Sequence, residues 1–125
     1  MSNIPADLKY TKEHEWASIK GDVATVGITD FAQHELGDIV FIQLPEVGAT
    51  FKEGEAFGEI EAVKTVASLF SPVSGTVTEV NAALGSAADS INKDPYTNGW
   101  IIRMKLSDPS ETANLLTAEQ YQGIL

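Results

Sequence analysis

No cysteine occurs anywhere in the chain. That excludes disulfides, thiol nucleophiles and cysteine-based zinc sites, and it fits a reducing compartment. Histidine is nearly as scarce: His14 and His34 are the only two, each followed directly by glutamate. Neither pair forms an HExxH motif, and neighbours on a strand point to opposite faces, so neither reads as a metal or acid–base site. No nucleophile-elbow sequence surrounds the serines, and Gly54-Glu55-Ala56-Phe57-Gly58 lacks the spacing and following helix of a phosphate loop. Apolar runs are short. Nothing approaches a membrane span, and residues 1–15 lack the basic start and apolar stretch of a signal peptide. The N-terminus is also poor in arginine, unlike a mitochondrial transit peptide, so the chain reads as a bacterial-type cytoplasmic protein or a mature form already trimmed.

Positive charge is the next shortage. Eight basic residues face eighteen acidic ones for a net charge of −10, and no Lys or Arg lies between Gly21 and Phe51. Such a surface repels phosphate backbones, which argues against nucleic-acid binding; it is suited either to steering toward basic patches on protein partners or simply to solubility. A chain of 125 residues is expected to form one domain, residues 1–125, as a monomer with a modest core that needs no staples.

Against this background one basic residue stands out. Lys64 is the only Lys or Arg between Glu53 and Asn92. Burying its ammonium unpaired would cost a few kcal/mol, so if its neighbours pack in a sheet its head must reach water. Strand-like segments approach it from both sides, Ala56 to Val63 before it and Val66 to Val73 after it, as at a hairpin tip. Yet no Gly, Asn, Asp or Pro lies between Glu59 and Leu69, although short hairpin loops commonly use residues that tolerate positive φ. Glu59 and Glu61, two residues apart, share one strand face and are candidates for recognition by a modifying enzyme.

Elsewhere the pattern is mostly strand. Trp16 to Ile19 and Val23 to Ile28 flank Lys20-Gly21-Asp22 and read as a hairpin. Asp30 is expected to cap a short helix with Gln33 at capping-box distance and Gly37 at its end. A strand follows from Asp38 to Leu44. Lys52-Glu53-Gly54-Glu55 reads as a turn, and Thr76 to Val80 as another strand. Asn81 to Asn98 reads as loop-rich with little hydrophobic payload, and Trp100 to Leu106 as a further strand. Pro109 opens a helical region, and Thr117 with Gln120 is a capping box for a closing helix.

The stretch Glu61-Ala62-Val63-Lys64, followed eleven residues after the lysine by Gly75, resembles the lipoyl-attachment motif of the glycine cleavage system H protein family. Biotin carriers have methionine on both sides of the modified lysine, and lipoyl domains of 2-oxoacid dehydrogenases typically have aspartate before it; Val63 fits neither. Tyr10-Thr11-Lys12-Glu13-His14-Glu15-Trp16, Val26 to Gln33, Leu36 to Phe41, Leu44 to Gly48 and Asp94 to Trp100 are also similar to family segments, in the same order. The chain departs from the family at Ala62, where serine is usual, and at Ala67-Ser68, where a serine–aspartate pair is usual.

That resemblance implies a fold that is mainly β: a flattened barrel or sandwich of two small antiparallel sheets (a barrel-sandwich hybrid), with a short helix near residues 30–36 and C-terminal helices. It implies lipoate as cofactor, bound covalently to Lys64, with Glu61, Val63 and Gly75 shaping the tip. It also implies a shuttle rather than an enzyme. A glycine decarboxylase would load an aminomethyl group onto the arm, an aminomethyltransferase would take the one-carbon unit, and a dihydrolipoamide dehydrogenase would reoxidise the dithiol. A lipoyl ligase or lipoyltransferase would attach the arm. Glu15, in the family's His-Glu-Trp segment, is the candidate for meeting the loaded amine, against the plainer reading of a surface carboxylate beside a core Trp16. Two rival roles stand beside the shuttle: a relay that donates its lipoyl group to other carriers, and an unmodified interaction module.

Overall fold

The Lys20-Gly21-Asp22 break turns the chain as its composition predicts. In the structure, a computed structural model that describes residues 3–125, a short β1 (Lys9–Tyr10) precedes β2 (Glu15–Lys20) and β3 (Val23–Ile28). Strands β2 and β3 pair antiparallel from Glu15↔Ile28 to Lys20↔Val23. Gly21 makes the turn at φ 62°, a conformation open to glycine at no steric cost.

Six further strands follow: β4 (Ile39–Gln43), β5 (Thr50–Phe51), β6 (Ala56–Ala62), β7 (Val66–Phe70), β8 (Gly75–Val80) and β9 (Ile102–Leu106). They form two antiparallel sheets, neither closed on itself, a six-stranded one in the order β1-β2-β3-β9-β8-β5 and a three-stranded one in the order β4-β6-β7. This is the expected mainly β sandwich. Alternation explains the core: Val26, Ile60, Val77, Ile102 and Met104 are buried in one cluster drawn from both sheets. Fully burying each such side chain stabilises the fold by roughly 1.5–3 kcal/mol before chain entropy is counted. A second cluster of Leu8, Tyr10, Trp16 and Tyr121 packs on the other face of β2.

The short helix forms where expected, as α1 (Asp30–Leu36), but its cap is not Asp30. Thr29 is the N-cap, and its hydroxyl accepts from the Ala32 N–H at 3.2 Å. Asp30 instead opens the helix and accepts from the Gln33 side chain at 2.8 Å. Thr and Asp are both good N-caps, and two candidates in succession let the boundary slip by one residue. The segment from Asn81 to Asn98 is loop-rich, with a 3-10 turn at Ala82–Gly85 and the one-turn helix α2 (Ser90–Lys93). It contributes more to the core than its composition suggests, because Leu84 and Ile91 are almost fully buried. After a 3-10 turn at Pro109–Asn114, the closing helix α3 (Ala118–Gln122) has both arms of the Thr117/Gln120 capping box.

Candidate functional site: a lysine at a hairpin tip beside a cleft

The hairpin of β6 and β7 carries Lys64 at its end. Its register runs through Glu59↔Ser68, Ile60↔Ala67 and Glu61↔Val66, and the Ala62 N–H donates to the Thr65 carbonyl at 2.8 Å. Val63 and Lys64 are the two turning residues, and neither has positive φ: among the described residues His14 is the only non-glycine that does. Hence the missing turn chemistry. Without a primed turn the strands would splay, but the Val63 N–H donates to the Asp38 carbonyl at 3.0 Å, which ties the tip to the entrance of β4.

Lys64 is exposed, and its amine makes no ion pair among the described residues. Its stem lies over Gly37, where a Cβ would come within 3.3 Å of Lys64 Cε. Gly37 ends α1 at φ 78°, ψ −154°, a region that only glycine occupies readily. The Asn92 side chain donates to its carbonyl at 2.8 Å, and the same Asn92 accepts from the Ile39 N–H at 2.9 Å. One asparagine thus joins the helix end to β4 and positions both beneath the tip.

Next to the tip, α1 and β7 wall a cleft of ≈ 480 Å³. Phe31, Ala32 and Leu36 line it from α1, Ala67 and Leu69 from β7, and Ile28 from β3. Ala67 is three residues from Lys64, and with a strand rise of about 3.3 Å per residue the near wall begins within about 10 Å of the lysine. Glu13, His14 and Glu15 form the far end.

Glu15 is buried, at 2 % exposure, so the plainer reading of a surface carboxylate does not hold. Residues on a strand alternate faces; Trp16 turns into the aromatic cluster, and Glu15 is left on the face toward β7. There one carboxylate oxygen accepts from the Phe70 N–H at 3.1 Å and the other from the Thr11 hydroxyl at 2.7 Å. Burial pushes its pKa up to about 7, although both hydrogen bonds pull the other way. A second, smaller cavity of ≈ 210 Å³, lined by Thr11, Phe70 and Leu115, lies against Glu15 as well.

Neither histidine–glutamate pair lies wholly on a strand. His34-Glu35 lies on α1, and His14 sits outside β2 at φ 70°. The His14 Nδ1 is 2.8 Å from the Tyr121 hydroxyl, and that hydroxyl is 2.7 Å from Thr29 Oγ1. Burial lowers the His14 pKa, with Glu13 and Glu35 opposing. The sequence assigned no role to Tyr121, an aromatic in the closing helix, and named Thr11 only as part of the Tyr10-to-Trp16 family segment.

Of the other expected site residues, Glu61 is exposed on the hairpin and Val63 is at its tip with 75 % exposure. Gly75 is not brought to the tip. It opens β8 in the other sheet, where a Cβ would collide with the Lys105 carbonyl oxygen. The departures Ala67 and Ser68 line the cleft, while Ala62 is buried beneath the tip.

An exposed lysine on a tied hairpin, beside a largely apolar cleft, is the arrangement of a carrier domain that presents an attachment point. Comparison with known proteins makes the assignment specific. A family model described as "Glycine cleavage H-protein" matches residues 8–125, and the chain belongs to that family. It is 55% identical over 123 residues to the glycine cleavage system H protein of Symbiobacterium thermophilum, covering 98% of this chain and 96% of the relative. It is 57% identical to that of Chlorobium luteolum, with 98% of each covered. A crystal structure of a glycine cleavage system H protein from Mycobacterium marinum is similar with a TM-score of 0.88 at 45% identity, covering 96% of this chain and 97% of that one. With the family goes its role: a lipoyl-bearing shuttle of the glycine cleavage system, a carrier subunit and not a catalyst.

Proposed function

We propose that Lys64 is the lipoyl attachment point, and that the arm it bears folds back along β7 into the cleft between α1 and β7. The observation that carries this reading is the position of Lys64, exposed over the Gly37 gap and within a few residues of an apolar cleft. The residues present fit such a group: a Cβ at position 37 would fill the space its stem uses, and Phe31, Leu36 and Leu69 offer an apolar lining. When bound, lipoate supplies a five-membered disulfide that accepts the aminomethyl carbon on sulfur and takes up electrons as it opens.

The chain's own residues bind and shelter. The cleft walls limit water around the arm, and the hairpin presents it at high effective concentration to whichever enzyme docks. Glu15 holds a carboxyl group at the far end, poised to meet an ammonium, and Thr11 with the Phe70 N–H keeps its two oxygens in place. The partners are a glycine decarboxylase, an aminomethyltransferase and a dihydrolipoamide dehydrogenase, with a lipoyl ligase or lipoyltransferase for attachment. Bacterial relatives support a cytoplasmic location.

Intact-mass measurement after incubation with a lipoate–protein ligase, lipoate and ATP tests the reading. The expected result is one lipoyl adduct, mapped by peptide to Lys64 and absent from Lys64→Arg. No adduct on the wild type, or an adduct that persists in Lys64→Arg, overturns it.

A further inference from the structure

Before it carries an arm, Lys64 is chemically one amine among several. Lys9, Lys12, Lys20, Lys52, Lys93 and Lys105 are exposed as well. An enzyme that acylates one of them has only the protein surface to read. Of the large apolar side chains left exposed, Val40, Phe41, Val63 and Val66 all belong to β4 and the Lys64 hairpin, whereas Val47, Ile124 and Leu125 lie elsewhere.

These side chains are arranged by register. Phe41 pairs with Glu61 across β4 and β6, and Glu61 pairs with Val66 across β6 and β7. Residues directly opposite share a face, so Phe41, Glu61 and Val66 form one row across the small sheet next to the tip. Phe41 is 49% exposed and Val66 56%. A β-strand has no structural need for an exposed Phe, and the row is apolar at both ends with one carboxylate in the middle. Glu59, two residues along, adds a second carboxylate, and neither glutamate forms an ion pair among the described residues.

We infer that this face, Phe41, Glu61 and Val66 with Val63 above them, is the docking surface for the enzyme that acylates Lys64, which meets it with an apolar depression rimmed by basic side chains. The inference rests on Lys64 being the attachment point. Charge complementarity selects the rim: an acidic pair on a chain of net −10 pairs with Arg or Lys. The chemistry delivered there is a simple acyl transfer. The neutral Lys64 amine attacks the carbonyl carbon of an acyl adenylate made from lipoate and ATP; the C–N bond forms, the C–O bond to phosphate breaks, AMP leaves and the amine proton passes to solvent.

Initial rates of adduct formation with a purified lipoate–protein ligase, followed by intact mass, provide the test, together with the dissociation constant of the unmodified full chain for that ligase. Phe41→Ser and Val66→Thr each lower kcat/KM and weaken binding by about tenfold or more, as central apolar contacts do. Glu61→Lys lowers both, and the wild-type rate falls with added salt. Val47→Ser, an exposed apolar site elsewhere, leaves both unchanged. All four positions are exposed, and threonine keeps the β-branched shape of valine, so urea unfolding matches the wild type. Wild-type kcat/KM and affinity in Phe41→Ser and Val66→Thr, with Lys64→Arg unmodified, overturn the docking surface and leave the attachment site standing. An adduct in Lys64→Arg removes the attachment reading on which it rests. Dimer loss on sedimentation of Phe41→Ser at unchanged kcat/KM assigns the face to a second copy of this chain and also overturns it.

Discussion

Glu15 is a carboxyl group with both oxygens hydrogen-bonded and no ion pair among the described residues. Its pKa rises from 4.5 to about 7 on burial. Because the folded value lies above the unfolded one, the stability linked to this proton is fully present below about pH 4.5 and is lost as pH rises through about 7. The shift corresponds to about 3 kcal/mol. Urea unfolding at pH 4.5 and pH 8 should therefore show the wild type losing about that much more than Glu15→Gln; identical pH slopes would remove Glu15 as their source. Burial favours the neutral form of this carboxyl group, and a docked ammonium would favour the charged form. Glu15→Ala accordingly shortens the lifetime of the loaded carrier, measured by timed mass spectrometry; an unchanged decay rate excludes Glu15 from sheltering the amine. This burial was not legible beforehand. The His-Glu-Trp resemblance pointed at the residue, but the partners that hold it, Thr11 four residues earlier and the Phe70 N–H on β7 of the other sheet, are brought together only by the fold.

At the scale of elements, the α1 terminus and the hairpin tip act as one unit through Gly37. Its φ of 78° with ψ of −154° excludes a comfortable side chain, and an added Cβ would press on the Lys64 stem at 3.3 Å. Gly37→Ala is expected to destabilise the protein by about 1–3 kcal/mol, the usual range for a residue forced into such a region. The backbone accounts for most of this loss, because the lysine stem is flexible and can move aside. The loss should therefore persist when Gly37→Ala is combined with Lys64→Ala, as read by chemical denaturation; full rescue in the double variant would assign it to the side-chain contact instead. The elements themselves were largely readable from alternation: the β2–β3 hairpin, the strands flanking Lys64 and the Thr117/Gln120 box all form as expected. What escaped was set by long-range pairing. The N-cap moved to Thr29 because its hydroxyl is also engaged by Tyr121, and Gly75 answers to the Lys105 backbone in the other sheet rather than to the tip eleven residues earlier.

For the molecule as a whole, the closing helix is wired to the site from the far end of the chain. Tyr121 is fully buried, stacks on Tyr10 with ring centroids 4.8 Å apart, and places its hydroxyl between His14 at the cleft and Thr29 at the start of α1. Thr29 in turn accepts from the Ala32 N–H. Tyr121→Phe keeps the stacked ring and removes only the hydroxyl, so it separates packing from the hydrogen-bond chain. Leaving a buried partner unsatisfied costs about 1–3 kcal/mol, and here the loss falls on His14, which lines the cleft, and on Thr29, which caps the helix that walls it. The variant should unfold at lower urea with an unchanged m-value, since the surface exposed on unfolding is the same. Its effect should also be local: amide hydrogen exchange at Ala32 and Gln33 accelerates by more than the loss in global stability accounts for, while amides in β8 and β9 follow global stability alone. Uniform acceleration across both sheets would mean that α3 stabilises the fold without steadying the cleft, and that the helix wall relies on α2 and Asn92 instead.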